Sequence, residues 1–410
     1  MAATDTARPS SLSGAAPELL AWHHRVRAQF PQIVNSPAAY LDSSATSQKP
    51  RAVLDAVIDY LTTTNANAGR GSYPWANRTT RLIEQVREQV KHFLGDPGPQ
   101  ESSVHFVGGA TEALRRVATD WLASALRTGD EIVVPGGDHS ANAVPWHDVV
   151  RDLARRGISV IAHAMPYETS GDYDTAALAA LIGPRLRFVA VTHVHHVYGV
   201  NMNVHRVRRV AGEDVVICLD AAQSVGHLPV DLAALDVDFL AFSGHKAMAL
   251  PGVGVLWAGN RRTPRFELAG WAGSANTAGI VSLGAALTWL AEADPARIDR
   301  WTTGLGAVLT DGLADLPSID VLGCQASLRR DSDVQRRQGI VTFRHRHLPA
   351  GDLGFYLESQ GHLVRADHHC QAGRDRLPSV RVSTHAYTSP EEISGLLDQL
   401  RVLEEKRPWQ

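Results

Sequence analysis

The segment from Asp220 to Lys246 most constrains how this chain can fold. An apolar run, Val215 to Leu219, directly precedes Asp220, and a second, mostly apolar run, Val237 to Phe242, precedes Ser243 and Lys246. Both runs have the length and composition of buried strands, which favours a parallel sheet. Because ligands bind at the carboxyl edge of such sheets, we expect the acid and the lysine to lie there together.

A lysine and a buried carboxylate at one sheet edge suit a specific chemistry. A desolvated Lys246 beside His245 is suited to forming a Schiff base. A buried Asp220 can keep a pyridinium nitrogen protonated. These are the two groups that a protein must supply to pyridoxal 5'-phosphate (PLP), whose ring then acts as an electron sink. Taken alone, the pair could also be a strand-end acid and an unrelated surface lysine.

The motif around this pair resembles a known family. Asp220 with Gln223, followed by Ser-Gly-His-Lys at 243–246, is similar to the signature of class-V aminotransferases, which are fold-type I PLP enzymes. The chain most resembles SUF-type (group II) cysteine desulfurases and selenocysteine lyases, from about Phe30 to the C-terminus. The resemblance implies an α/β fold with a large domain, built on a mostly parallel seven-stranded sheet, and a smaller C-terminal α+β domain.

We divide the chain by composition and by this resemblance. Residues 1–15 are small and polar and are expected to be disordered. Residues 16–289 are expected to form the large PLP-binding domain, with 16–38 packing against the small domain, 290–410. Hydrophobic periodicity predicts helices over 17–30, 51–63, 81–93, 281–290 and 352–360. We predict strands over 39–42, 104–107, 131–135, 158–163, 188–193, 215–219, 237–242, 253–257 and 340–343.

The bulk properties exclude several classes of protein. The 410 residues carry a formal net charge of −3, which indicates neither nucleic-acid nor anionic-membrane binding. The first residues lack the basic and apolar parts of a secretory signal, and no apolar run is long enough to span a membrane. Three cysteines are too few for a disulfide framework. We therefore expect a reduced, cytoplasmic setting.

The resemblance implies a set of cofactor-binding residues. Ala110 and Thr111, in a Gly-rich turn that opens a helix, would bind the phosphate. His139 takes the position of the residue that stacks on the pyridine ring and can relay protons. His196 stands where the family has an Asn that contacts the phenolic oxygen. The complete predicted set is Lys246, Asp220, Gln223, His139, Ala110, Thr111, His196, Ser243, His245 and Ser274.

The resemblance also implies the substrate-binding and catalytic residues. Arg381, with Arg365 nearby, would pair with the substrate carboxylate, and Ser44 and Arg70 would line the substrate side of the site. Lys246, freed from the cofactor, would take the α-proton. Cys370, in a His-His-Cys sequence, would attack the substrate's sulfur as a thiolate and release alanine. The catalytic residues are thus predicted to be Lys246, Cys370 and His139.

Several positions depart from the family pattern. Gly69 replaces a usual His, and His195-His196 replaces Ser-Asn. The adjacent histidines also permit a metal site, but no Cys or carboxylate lies at ligand spacing, so we predict none. Only 28 residues separate Lys246 from Ser274, so a lobe that covers a neighbouring site in the family looks trimmed. Ser274 matches a phosphate ligand from a partner subunit, which implies a homodimer.

These departures leave alternatives to a cysteine desulfurase with a possible sulfur-acceptor protein. A site without its covering lobe could admit a larger S-substituted cysteine, with Cys370 incidental to a C–S lyase. Enzymes similar to isopenicillin N epimerase share the fold and the Arg-x-Ser-x-His-x-Tyr ending seen at 381–387. A non-enzymatic scaffold is disfavoured because Lys246 and Asp220 are both present.

Overall fold

The computed structural model describes residues 17–69, 71–263, 266, 268, 274–323, 337–373 and 377–409. The α-helices within these ranges are α1 Pro17–Arg27, α2 Pro31–Val34, α3 Arg51–Thr63, α4 Pro74–Phe93, α5 Ala110–Arg116, α6 Ala123–Ala125, α7 Val144–Arg155, α8 Thr175–Ala179, α9 Val204–Ala211, α10 Leu232–Leu235, α11 Thr277–Ala293, α12 Pro295–Ala314, α13 Ala350–Ser359 and α14 Pro390–Lys406. The strands are β1 Ala39–Tyr40, β2 Ser103–Val107, β3 Glu131–Val134, β4 Ile161–Ala164, β5 Leu186–Thr192, β6 Val216–Asp220, β7 Phe239–Ser243, β8 Gly254–Ala258, β9 Ile319–Val321, β10 Ile340–His345, β11 His362–Leu363, β12 Arg365–Asp367 and β13 Ser379–Ser383.

The largest sheet has seven strands in the order β2-β8-β7-β6-β5-β3-β4 among the described residues. Strands β4, β3, β5, β6 and β7 run parallel, whereas β8 is antiparallel to both of its neighbours. The predicted mostly parallel, seven-stranded sheet is confirmed. Its parallel part brings the carboxyl ends of β5, β6 and β7 to one edge.

Both faces of the sheet are buried at its central strands β6, β7 and β8, which explains why these strands read as continuous apolar runs. Along β6, Ile217 and Leu219 join one hydrophobic cluster, whereas Val216 and Cys218 join a cluster on the opposite face. Side chains alternate between the two faces with a period of two, so a strand that is covered on both faces is apolar at nearly every position. The core therefore has two layers, one on each side of the sheet.

A second sheet lies in the C-terminal part of the chain, with the antiparallel order β12-β13-β10-β9. The short parallel pair of β1 and β11 links the N-terminal part to it. Helix α1 packs nearby: Trp22 meets Trp301 edge-to-face at 6.3 Å between ring centroids, and Arg27 pairs with Glu392 at 2.9 Å. These contacts agree with the predicted smaller α+β unit.

Helix boundaries follow recognisable local signals. Ser389 and Glu392 form a capping box at the start of α14, with Pro390 in the first turn. Gly361, which follows α13, has a φ of +84°, a value that favours glycine. Between α5 and α6 the helix widens into a π-helical segment, 117–122. Among the described residues, no helix combines the length and apolarity that crossing a membrane requires.

Candidate active site

The two predicted strand ends meet at one cleft. Strand β6 ends at Asp220, and β7 ends at Ser243, from which a 3₁₀ turn carries Lys246. Eight of the ten predicted cofactor-binding residues line this cleft. The lining residues are Ala110, Thr111, His139, Ala141, Thr192, Val194, His196, Asp220, Ala222, Gln223, Ser243 and Lys246.

The end of the cleft at Ala110 is built by close backbone contact. The Ala110 N–H donates to Ser243 Oγ at 2.9 Å, which ties the start of α5 to the end of β7. Gly109 precedes this helix with a φ of +158°, and a Cβ at Gly254 would lie only 2.5 Å from Gly109 Cα. Two glycines thus let β8 and the start of α5 approach each other. Backbone N–H groups in the first turn of a helix, such as that of Thr111, are suited to hold a phosphate.

The opposite end of the cleft presents two imidazole rings. His139 and His196 meet edge-to-face with ring centroids 5.1 Å apart. His139 Nδ1 accepts from the Ala141 N–H at 3.1 Å, which fixes the ring. Burial and the nearby Lys246 lower the pKa of His139 to about 4, and burial lowers that of His196 well below its ordinary value. Both rings are therefore neutral at pH 7.

Burial also moves the pKa values of the acid and the lysine toward each other. Desolvation lowers the pKa of Lys246 to about 8, although Asp220 opposes the shift. Desolvation raises the pKa of Asp220 to about 6, although the Ala222 N–H donates to its carboxylate at 2.9 Å. Lys246 thus has a substantial neutral fraction near pH 8, as a nucleophilic amine requires.

Arg381, the predicted carboxylate ligand, is buried next to the cleft. Its Nη1 donates to the His196 carbonyl at 3.1 Å, and its Nη2 pairs with Asp42 Oδ1 at 3.1 Å. Its Nε is buried and has no hydrogen-bond partner in the described structure. The guanidinium is therefore held by two contacts and keeps at least its Nε–H donor for a ligand.

Ser44 lies between this arginine and the cleft. Its N–H donates to Ser383 Oγ at 2.9 Å, and its carbonyl accepts from Gln223 Nε2 at 3.0 Å. The hydroxyl of Ser44 and the Oε1 of Gln223 are buried without a hydrogen-bond partner in the described structure. The loop after β1 is thereby fixed both to β13 and to the floor of the cleft.

Cys370 is exposed on a turn that touches the His139 loop. The Ser140 N–H donates to the Cys370 carbonyl at 2.9 Å, and the Ala372 N–H donates to the Asp138 carbonyl at 2.7 Å. His369 and Cys370 have φ values of 53° and 57°, in the left-handed region that non-glycine residues rarely adopt. Backbone strain of this kind is concentrated at functional sites. The turn thus brings the thiol to the rim of the cleft.

Arg365, which lies beside Arg381, is already paired with a carboxylate, that of Asp367. The two arginines are direct partners on β12 and β13, but Arg365 Nε and Nη2 bind the Asp367 carboxylate at 2.8–3.0 Å. The same Nη2 lies 3.4 Å from Cys370 Sγ. The guanidinium therefore contacts the cysteine and a carboxylate of its own strand.

Other predicted residues lie outside the cleft or outside the described residues. The His245 carbonyl accepts from the Ser47 N–H at 3.0 Å, and its side chain does not line the cleft. Ser274 is exposed and does not line the cleft of its own chain. Arg70 and part of the segment predicted to be trimmed, 264–265, 267 and 269–273, are outside the described residues.

Sequence reasoning did not identify three carboxylates around the site. Asp42 pairs with Arg381, and Asp367 pairs with Arg365. Asp138, directly before His139, is buried and accepts from the hydroxyls of Tyr167 at 2.6 Å and Tyr173 at 3.2 Å. Only the Arg-x-Asp spacing of 365–367 offered a signal, since alternate residues of a strand share a face. Across the described residues, no group of three or more potential ligands is arranged to hold a metal ion.

The residues of the cleft fit PLP. Both ring nitrogens of His196 and the Gln223 Oε1 are buried without hydrogen-bond partners in the described structure, so each can bind a polar ligand atom. Asp220 supplies a carboxyl group, Lys246 an amine, and the start of α5 backbone N–H groups. Together these groups match the ring nitrogen, aldehyde, phenolic oxygen and phosphate of this cofactor.

Comparison with known proteins extends these observations over almost the whole chain. Residues 39–396 match the family model described as aminotransferase class-V. A probable cysteine desulfurase of Vibrio cholerae is 34% identical, with 91% of this chain and 96% of that protein covered. A cysteine desulfurase of Yersinia pestis is 32% identical, with 93% of this chain and 98% of that protein covered.

Solved structures show the same similarity. The apo structure of a cysteine desulfurase from Thermococcus onnurineus superposes with a TM-score of 0.82 at 27% identity, covering 93% of this chain and 98% of that one. The cysteine desulfurase CsdA of Escherichia coli gives a TM-score of 0.79 at 27% identity, covering 94% and 98%. Family model, relatives and fold agree with the cleft described above, and the chain therefore belongs to the class-V aminotransferase family.

Proposed function

We propose that this protein is a PLP-dependent cysteine desulfurase that converts L-cysteine to L-alanine and leaves a persulfide on Cys370. The observation that carries the proposal is the contact between the Cys370 turn and the His139 loop, through the Ser140 and Ala372 N–H groups. The positive φ values of His369 and Cys370 support this role, because strained backbone is concentrated at functional sites. The names of relatives that are 32–34% identical support the same activity.

The cofactor would be held by residues at every side of the cleft. Lys246 would bind it covalently, Asp220 would pair with its ring nitrogen, and His139 would cover the ring face. His196 and Gln223 would bind the phenolic oxygen, and Ala110, Thr111 and Ser243 would surround the phosphate. When bound, PLP supplies an electron sink for a carbanion at the substrate's α-carbon.

The remaining steps belong to side chains of the protein. Arg381 would bind the substrate carboxylate through its unpartnered Nε. Lys246, neutral once it is released, would take the α-proton. The Cys370 thiolate would attack the substrate's sulfur, so that the Sγ–Cβ bond breaks and a sulfur–sulfur bond forms. Protonation at Cβ then gives alanine, and no external oxidant or reductant is needed.

A substitution at Cys370 tests this function. We expect Cys370→Ser to abolish alanine formation from L-cysteine, a far greater loss than the ~10-fold change that about 1.4 kcal/mol would cause. The visible absorbance of bound PLP should be retained, because Cys370 does not line the cleft. The measurement is alanine and pyruvate released from L-cysteine by the wild type and the variant.

The alternative, a C–S lyase acting on an S-substituted cysteine, predicts the opposite result. β-Elimination needs Lys246 and the cofactor but no thiol, and its carbon product is pyruvate. Pyruvate from an S-alkyl cysteine at an unchanged rate in Cys370→Ser, with no alanine from L-cysteine in the wild type, would refute the desulfurase proposal.

We further propose that the enzyme works as a cytoplasmic homodimer and passes its persulfide sulfur to an acceptor protein. Ser274 is exposed in its own chain, as a residue that completes a partner's phosphate site would be. Tyr73 and Trp75, at the start of α4, are also exposed and offer apolar surface for association. Sedimentation that finds an active monomer at working concentration would refute the dimer.

A further inference from the structure

The carboxylate of Asp367 contacts both the Arg365 guanidinium, which lies beside the Cys370 thiol, and the backbone turn that carries Cys370. It accepts three hydrogen bonds from Arg365, at 2.8–3.0 Å, and one from the backbone N–H of His369. Nη2 of Arg365 also lies 3.4 Å from Cys370 Sγ. His369 begins the turn in which two successive residues, His369 and Cys370, have positive φ. The Asp367 side chain thus links Arg365, which lies beside the thiol, to the strained backbone that carries the thiol.

The geometry of this link follows from the strand. Arg365 and Asp367 alternate along β12, so their side chains emerge on the same face and can pair. A planar guanidinium and a carboxylate that pair through two parallel hydrogen bonds have a fixed mutual orientation. Since Arg365 is only half-buried, an unpaired guanidinium there would be free to turn into solvent. The pairing therefore holds Nη2 beside the sulfur.

The turn needs support as well. Two successive non-glycine residues in the left-handed region are strained, so neighbouring contacts must hold them. Asp367 Oδ1 binds the His369 N–H at the start of the turn, and the His369 ring is anchored by Ser379 Oγ at 2.9 Å. Nδ1 of the same ring lies 3.0 Å from Asp367 Oδ1, and desolvation lowers the pKa of His369, so this contact joins the carboxylate to a neutral ring.

We propose that Asp367 is a positioning residue that holds Arg365 against the Cys370 thiol, and that Arg365 consequently serves the thiol rather than the substrate carboxylate. This inference rests on the proposed desulfurase function of Cys370. It revises the sequence-based expectation that both arginines bind the substrate. Arg381 then remains as the carboxylate ligand of this pair, through its unpartnered Nε.

The test measures alkylation of Cys370 by iodoacetamide at pH 7, using purified holoenzyme and peptide mapping by mass spectrometry. In Asp367→Asn, the amide oxygen can still accept from the His369 N–H, but the new NH₂ group opposes the guanidinium and releases it. We expect alkylation to slow by about threefold to tenfold, the range of one charge-assisted hydrogen bond in a partly exposed site. Arg365→Gln should slow it equally.

The double variant Asp367→Asn/Arg365→Gln distinguishes positioning from independent effects. If the carboxylate acts through the arginine, the double variant is no slower than either single variant. Asp320→Asn provides the matched control, because Asp320 forms the same kind of two-point pair with Arg346 in the same sheet, away from the cleft. It should leave alkylation unchanged.

Two results would overturn the proposal. Faster alkylation in Asp367→Asn would mean that the carboxylate acts on the thiol only as a negative charge. A fivefold or larger rise in KM for L-cysteine in Arg365→Gln, with alkylation unchanged, would return this arginine to the substrate carboxylate. Alkylation requires no turnover, so a wild type that forms no alanine would refute the desulfurase function and leave the assignment of Asp367 to be judged by these rates.

Discussion

Lys246 is the residue whose surroundings most change its chemistry. Burial lowers the pKa of its amine to about 8, from 10.5, so the neutral and nucleophilic form is abundant in mildly alkaline solution. We expect the rate at which the apoprotein takes up PLP to rise with pH to about 8 and then to level off. The visible absorbance of bound PLP, followed by stopped flow, measures this rate.

The control for this prediction is Lys246→Ala, which should form no borohydride-reducible band at any pH. An uptake rate that still rises steeply between pH 9 and pH 10 would mean that the attacking amine has an ordinary pKa. In that case either the lysine is better hydrated than the fold indicates or another amine captures the cofactor.

The sequence identified the residues at strand ends and missed their long-range partners. Asp220 and Lys246 were predictable because a buried strand fixes where its last residue lies. The pairing of Arg381 with Asp42 was not, since the two are 339 positions apart and no local pattern marks them. Arg365 was assigned to the substrate from the family resemblance, and its pairing with Asp367, on the same short strand, was not predicted.

At the scale of elements, the contact between β8 and the start of α5 shapes the end of the cleft at Ala110, which we propose as the phosphate end. A Cβ at Gly254 would lie 2.5 Å from Gly109 Cα and 2.7 Å from the Phe242 carbonyl, and both are backbone atoms that cannot turn away. Gly254→Ala must therefore push β8 away from α5. We expect the dissociation constant for PLP to rise by more than about tenfold, equivalent to about 1.4 kcal/mol.

The matched control is Gly351→Ala, in helix α13, where a Cβ would meet nothing within 4 Å. Alanine favours a helix by about 0.5–1 kcal/mol over glycine, so this variant should be as stable as the wild type or more so and should bind PLP unchanged. Titration of both apoproteins with PLP gives the comparison. Equal affinities would show that β8 can shift without disturbing the phosphate end.

Helices and strands were predicted correctly where a single feature of the sequence, such as a continuous apolar run, marked them. The helix predicted over 51–63 begins and ends as expected, and the strands of the large sheet match within a few residues. Helix α4 was predicted to begin at Arg81 but begins at Pro74, because Pro fits the first turn of a helix. The residues between Pro74 and Arg81 are mostly polar or exposed, so no apolar pattern marked this part of the helix. Helix α12 was not predicted, although its buried apolar residues recur at the three- and four-residue spacing of a helix face: Ile298, Trp301, Leu305, Leu309 and Leu313.

At the scale of the whole molecule, buried histidines link stability to pH. Desolvation is the largest cause that lowers the pKa of five of them to about 4, from 6.5: His23, His139, His193, His227 and His245. In this pH range the unfolded chain binds more protons than the native protein, so the free energy of unfolding falls as the pH falls from about 6.5 to about 4. Asp220, whose pKa is raised to about 6, acts in the opposite direction over part of this range but is outnumbered.

His193 isolates this effect, because desolvation alone lowers its pKa and it is almost fully buried. A lowering from 6.5 to about 4 corresponds to about 3 kcal/mol of stability that is present above pH 6.5 and lost by pH 4. His193→Gln cannot titrate, so its free energy of unfolding in urea should fall less between these pH values than that of the wild type, whatever its stability at pH 7. Exposed His147→Gln is the matched control and should keep the wild-type slope. Parallel pH profiles for the wild type and His193→Gln would mean that His193 is protonated as readily in the native protein as in the unfolded chain, and that acid sensitivity must then arise elsewhere.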